Sequence, residues 1–139
     1  MRALLQHILI FSVFDANKTL DTNTDNHAYI TGLPDRRAIA YKEVIGSYSH
    51  VKEKSILIDA KHLDLVKNAC FDFKQDSYLE RFSDGTAQLV FLAIANKFNL
   101  EPLQLGSFRA TPELIAKKSG NYTLDTKTNT YYTYHWLKD

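Results

Sequence analysis

The chain has 139 residues, with 17 Lys plus Arg against 16 Asp plus Glu, and a formal net charge of +1. That length suits one folded unit, and 45% hydrophobic residues support a core without disulfide or metal staples. The near-neutral balance lacks the electropositive excess that phosphate-backbone binding requires, so nucleic acid is not an expected partner.

In chain order, the apolar opening from Ala3 to Phe14 is interrupted by Gln6, His7 and Ser12. It is too short for a membrane span and has no small-residue cleavage site, so we read Leu9 to Phe14 as a core strand rather than a leader or an anchor. Residues Asn17 to Ala28, rich in Thr, Asp and Asn, read as a mobile polar loop, and Gly32-Leu33-Pro34-Asp35 as a turn. Arg37 to Tyr48 fits neither period and is left extended or irregular, leading into a strand at Ser55 to Ile58. From Ala60, the residues Leu63, Val66, Ala69, Cys70 and Phe73 recur at helical spacing, with Asp59 as N-cap. Ser77 to Phe82 and Ala87 to Leu92 flank Ser83-Asp84-Gly85-Thr86 as a β-hairpin. Leu100 to Phe108, Asn121 to Asp125 and Thr130 to Trp136 read as strands, the last two joined through Thr126 to Asn129. A short helix starts near Thr111, as cap, and Pro112. Strands with few helices describe an α+β fold over residues 1–139, with helices on one face of an antiparallel sheet and ferredoxin-like topology.

Chemistry-bearing motifs are sparse. The five histidines lack the spacing that places two ligands on one helix face, so no metal site is expected. Cys70 lies on the apolar stripe of its helix and reads as a buried thiol in a reducing cytoplasmic setting. Each of the five glycines stands alone, which excludes Gly-rich phosphate cradles and the cofactors they bind. The aromatic tail around Trp136 is either a base-stacking platform or ordinary cross-strand packing. On composition alone Glu53 is a solvated strand-end charge and Tyr48 a half-buried tyrosine.

Six ordered segments carry more: Gly46-Ser47-Tyr48, Glu53-Lys54-Ser55, Asn68-Ala69-Cys70 with Gln75-Asp76-Ser77, Ala87-Gln88-Leu89-Val90, Leu105-Gly106-Ser107-Phe108 and Gly120 to Asp125. Together they resemble the S-adenosylmethionine (SAM) lyases of coliphages, formerly called SAM hydrolases. The family pattern has a longer stretch between its tyrosine and glutamate; here only Ser49, His50, Val51 and Lys52 intervene. The resemblance implies a PII-like, ferredoxin-like homotrimer that binds SAM between subunits, needs no cofactor, and acts in the cytoplasm of an infected bacterium by depleting SAM and so weakening restriction. It implies Tyr48 and Glu53 as the residues lining the site. Glu53 is expected to anchor the ammonium or sulfonium, and Tyr48 to hold the methionine end. Ser47 and backbone groups near Ala40 and Gln88, on strands read as sheet edges, are expected substrate contacts. The expected reaction is attack of the substrate's own carboxylate on its γ-carbon, giving methylthioadenosine and homoserine lactone; hydrolysis to homoserine is the enzymatic variant. The alternatives from another class are a non-catalytic PII-like module that binds SAM or a nucleotide, and a phage protein that blocks a host defence enzyme by contact.

Overall fold

The computed structural model describes residues 7–14, 18–48, 50–75, 77–91 and 104–136. Among them, strands β1 (Ile8–Phe11), β2 (Tyr41–Tyr48), β3 (Val51–Asp59), β4 (Ser77–Arg81), β5 (Thr86–Phe91), β6 (Gln104–Thr111), β7 (Tyr122–Asp125) and β8 (Thr130–Trp136) pair antiparallel throughout. Helices α1 (Leu20–Arg36), α2 (Leu63–Asp72) and α3 (Glu113–Ser119) complete an α+β fold. The open ferredoxin-like or PII-like sheet is corrected here. The order β1-β3-β2-β7-β8-β6-β5-β4 closes into a barrel, because β1 pairs with β3 along one edge and β4 along the other. With both edges occupied, the strands read as sheet edges are not edges.

Closure explains the sequence pattern of the central strands. Ile8, Ile10, Val44, Leu57, Leu79, Phe108 and Tyr132 pack together inside the barrel. The alternate residues Leu9, Phe11, Ile56 and Ile58 pack outside it, against Ile30 of α1 and Leu65, Val66, Ala69 and Cys70 of α2. Strands buried on both faces lose the polar alternation of a half-exposed strand and read as continuous apolar runs. A third cluster of Ala116, Tyr122 and Tyr131, with Leu124 against it, seats α3 on β7 and β8.

The polar loop at Asn17 to Ala28 and the turn at Gly32 to Asp35 are corrected: residues 20–36 form α1. Thr19 caps it, its Oγ1 accepting from Thr22 N at 3.1 Å. The buried positions on α1 are Asn23, His27, Ile30 and Thr31, one helix face whose members are mostly polar. His27 Nε2 meets Glu43 Oε1 at 3.1 Å on the outer face of β2. A search for apolar periodicity misses such a face. Of the stretch Arg37 to Tyr48, read as extended or irregular, Tyr41–Tyr48 is the strand β2, and the helix expected at Thr111 starts two residues later, after Pro112. Asp59 does cap the turn at Ala60–His62 that leads into α2, accepting from Lys61 N at 2.9 Å. Of the run expected from Leu100, residues 100–103 lie outside the described residues, as does Leu92.

Candidate functional site

The shorter stretch between Tyr48 and Glu53 has a plain structural form. The β2–β3 ladder runs unbroken from Tyr41↔Ile58 to Tyr48↔Val51, so the chain reverses tightly between Tyr48 and Val51. His50 takes φ +68°, the left-handed conformation a tight reversal needs. Gly46 lies opposite Glu53, and Tyr48 opposite Val51. Because side chains alternate, Gly46, Tyr48, Val51, Glu53 and Ser55 share the face that carries Val44 into the barrel core. Gly46 makes room on it: a β-carbon there would lie 2.9 Å from Ser55 Oγ and 3.4 Å from the Tyr48 ring.

Tyr48 and Glu53 share one electrostatic neighbourhood. Loss of solvation, and then the Glu53 charge, push the Tyr48 phenol up to about 12. The Tyr48 side chain as a whole is nonetheless 56% exposed, so its surroundings are crowded on the protein side and open on the other. Burial also raises Glu53 above its ordinary range, while the neighbouring Ser12 hydroxyl pulls the other way. A carboxylate short of solvation gains most from a cationic ligand.

Tyr48 stands at the rim of a cavity of about 510 Å³ whose wall is aromatic, formed by Phe108, Tyr132 and Tyr134, with Thr123, Thr133 and His135 as polar groups. Phe108 and Tyr132 stack with centroids 5.6 Å apart, and Tyr134 Oη donates to Ala87 O at 3.3 Å. The volume falls within the roughly 300–1,000 Å³ of small-molecule sites. Burial first, and then the Arg109 charge, lower His135, which favours a neutral imidazole. Ser47 also borders this cavity, but its hydroxyl donates to Gly120 O at 3.0 Å. Glu53 borders a neighbouring groove of about 340 Å³ between α1 and α3, with Lys52, Lys54 and Lys117 at its rim.

The other expected contacts lie elsewhere on the chain. Ala40 sits by a third cavity of about 310 Å³ with Lys42, Asp59 and His62, beyond the far end of β2. Gln88, on β5, donates from Nε2 to Glu80 Oε1 at 2.8 Å, and the other oxygen of Glu80 lies 2.6 Å from His7 Nε2. So the chain sets Tyr48 and Glu53 on one face of the hairpin, with Ser47 beside them on the other, keeps Ala40 at the far end of β2, and turns the Gln88 side chain away while its neighbours Ala87 and Leu89 adjoin the aromatic cavity.

The family model of the S-adenosylmethionine lyases matches residues 9–135, nearly the whole chain and both strands of this hairpin. The chain belongs to that family. No curated protein matches it. As an S-adenosylmethionine lyase it is an enzyme, and SAM is the molecule it cleaves.

Among the described residues of this lyase, no group of three or more His, Cys, Asp or Glu is placed to hold a metal ion. Cys70 is buried, and burial pushes its thiol up to about 12, out of nucleophilic range. The tyrosines of the wall lie in the β8 tail that the sequence offers as a stacking platform; the sequence does not show their meeting with Phe108 of β6, nor the contact between the β2–β3 turn and Gly120. A signal for the latter was present: Pro112 and Gly120 bracket α3 as start and stop.

Proposed function

We propose that this lyase cleaves SAM by attack of the methionine carboxylate oxygen on its own γ-carbon. The Cγ–S bond breaks, its electron pair stays on sulfur, and the products are neutral 5′-methylthioadenosine and L-homoserine lactone. No proton transfer is needed. The protein's task is to hold the chain curled, for which intramolecular attack offers up to several kcal/mol of barrier lowering. The observation that carries the reading is the shared face of the β2–β3 hairpin, where the Tyr48 phenol at the rim of an aromatic cavity feels the charge of a poorly solvated carboxylate, Glu53, that borders the neighbouring groove. Glu53 attracts the ammonium or the sulfonium. Tyr48, which stays protonated through neutral pH, donates to the carboxylate and orients it. The rings of Phe108, Tyr132 and Tyr134 suit an adenine and a sulfonium, since π-faces take both.

Incubation with SAM in ¹⁸O-water tests the reaction. The expected outcome is methylthioadenosine together with an unlabelled lactone as first product. Homoserine labelled from the start would make it hydrolysis, and SAM left intact with folded protein would overturn both.

The finer reading is a homotrimer with the site between copies, acting in the bacterial cytoplasm for a phage that depletes SAM against restriction. Ala40 and Tyr48 are separated by the length of β2, roughly 26 Å at about 3.3 Å per residue, so one SAM does not reach both ends within a chain. Ala40 can serve the site only from a neighbouring copy, whereas the Gln88 backbone lies between Ala87, which accepts from Tyr134, and Leu89 at the border of the same cavity. Light scattering should give a trimer mass. Mixing Glu53→Gln chains with Ala40→Trp chains should restore activity above either alone, because mixed interfaces regain one complete site. A monomer with full turnover sinks the shared site.

A further inference from the structure

Nothing in Tyr48's own packing explains why an exposed side chain should hold one orientation; its neighbours in sequence do. Ser47 Oγ and His50 N both donate to the carbonyl oxygen of Gly120, at 3.0 and 2.9 Å, from either side of Tyr48. Ser47 is buried, 1% exposed, so its bond is shielded from water. Gly120 closes α3 in the left-handed conformation, φ +74°, with its own N–H returned to Lys117 O. The His50 ring lies over its α-carbon so closely that a β-carbon would sit 2.6 Å from Nε2 and 2.7 Å from Cδ2. The turn of one hairpin is thus clasped to the end of a helix that carries Ile115 and Ser119 at the border of the same cavity.

We propose that the clasp of Ser47 and His50 on Gly120 is a positioning device for Tyr48, fixing the backbone on both sides of it so that the phenol meets the methionine carboxylate in one pose. This rests on the reading of Tyr48 as a substrate contact. Gly120 is required for two separable reasons: its positive φ, and the space it leaves for the imidazole. Fixing the backbone matters here because misplacement by about 1 Å can cost up to about a hundredfold in rate.

The separability supplies the test. Gly120→Ala should lower kcat for SAM about tenfold or more with a smaller change in KM, as expected when orientation rather than affinity is lost. Adding His50→Gly removes the ring that the new methyl strikes and keeps a residue that accepts positive φ, so the double variant should regain turnover severalfold. A role confined to the helix cap would not be rescued this way, and a double variant no faster than Gly120→Ala overturns the proposal. Tyr48→Phe is measured beside them: slow turnover upholds the reading of Tyr48 independently of the clasp, and wild-type turnover removes both. Should Gly120→Ala not fold, Ser47→Ala decides. It should slow the wild-type background severalfold and the Tyr48→Phe background by less than about twofold, because the two act as one unit; equal losses in both backgrounds overturn the proposal.

Discussion

Glu53 is held in a state the fold itself disfavours. Its carboxyl is raised by burial, so the folded chain binds that proton more tightly than the unfolded chain does, and stability falls as pH rises through the window between the two pKa values. Above that window the ionised group is a standing cost, which a bound cation relieves. Glu53→Gln should therefore raise the melting temperature at pH 7 while lowering turnover by more than about tenfold; unchanged turnover would remove the residue from the mechanism. The pH profile carries the same sign. Activity should fall on acidification with a midpoint above the roughly 4.3 of an ordinary glutamate. Tyr48, pushed up to about 12, should add no alkaline limb of its own, so Tyr48→Phe should leave the alkaline side of the profile in place. At this scale the sequence was legible only through resemblance. Composition makes Glu53 a strand-end charge between Lys52 and Lys54; it takes the register with Gly46 and the nearness of Tyr48 to give it another part.

Among the elements, those that pack apolar residues at a regular period were readable and α1 was not. Leu63, Val66, Ala69, Cys70 and Phe73 announce α2, and Gly85, found at φ +93°, announces the β4–β5 turn. In α1 the buried face, among the described residues, is Asn23, His27, Ile30 and Thr31, three of the four polar. Its residues favour caps and turns over helix interiors, so neither propensity nor pattern identifies it. What sustains it is the Thr19 cap and contact with the outer face of the barrel, including His27 to Glu43. A helix so dependent on its start should be sensitive there. Thr19→Ala should destabilise the protein by about 1 kcal/mol in chemical denaturation, at the centre of the range for a lost N-cap. No change would show that packing alone holds α1.

The whole molecule is a barrel stitched from unequal seams. β2 and β3 share eight residue pairs, whereas β2 and β7 share three, at Ile45, Gly46 and Ser47. The short seam is reinforced at one end by Lys42 Nζ bonded to Asp125 Oδ2 at 2.7 Å and at the other by the Gly120 carbonyl. Burial opposes ionisation of Asp125, but the Lys42 ammonium and the N–H of Lys127 outweigh it and hold the carboxyl below its usual value. A depressed carboxyl contributes stability above its unfolded pKa, lost as pH falls through the folded one. Asp125→Asn should therefore lower the melting temperature clearly at pH 7, and the difference from wild type should shrink near pH 3. A gap that stays constant would assign the loss to packing. Closure itself was not legible, because it depends on β1 meeting β4 across nearly seventy positions of sequence, which no local pattern records.

Closure also dictates how copies of this chain can meet. Among the described residues every strand has a neighbour on both sides, so no whole strand edge is left free for a neighbour's strand to join. Side chains then offer the surface for contact, and large apolar ones stand exposed at Val51, Leu114 and Ile115, the last at the border of the cavity. An assembly built on those side chains would be held by hydrophobic contact and should dissociate on single polar substitutions that leave each barrel intact.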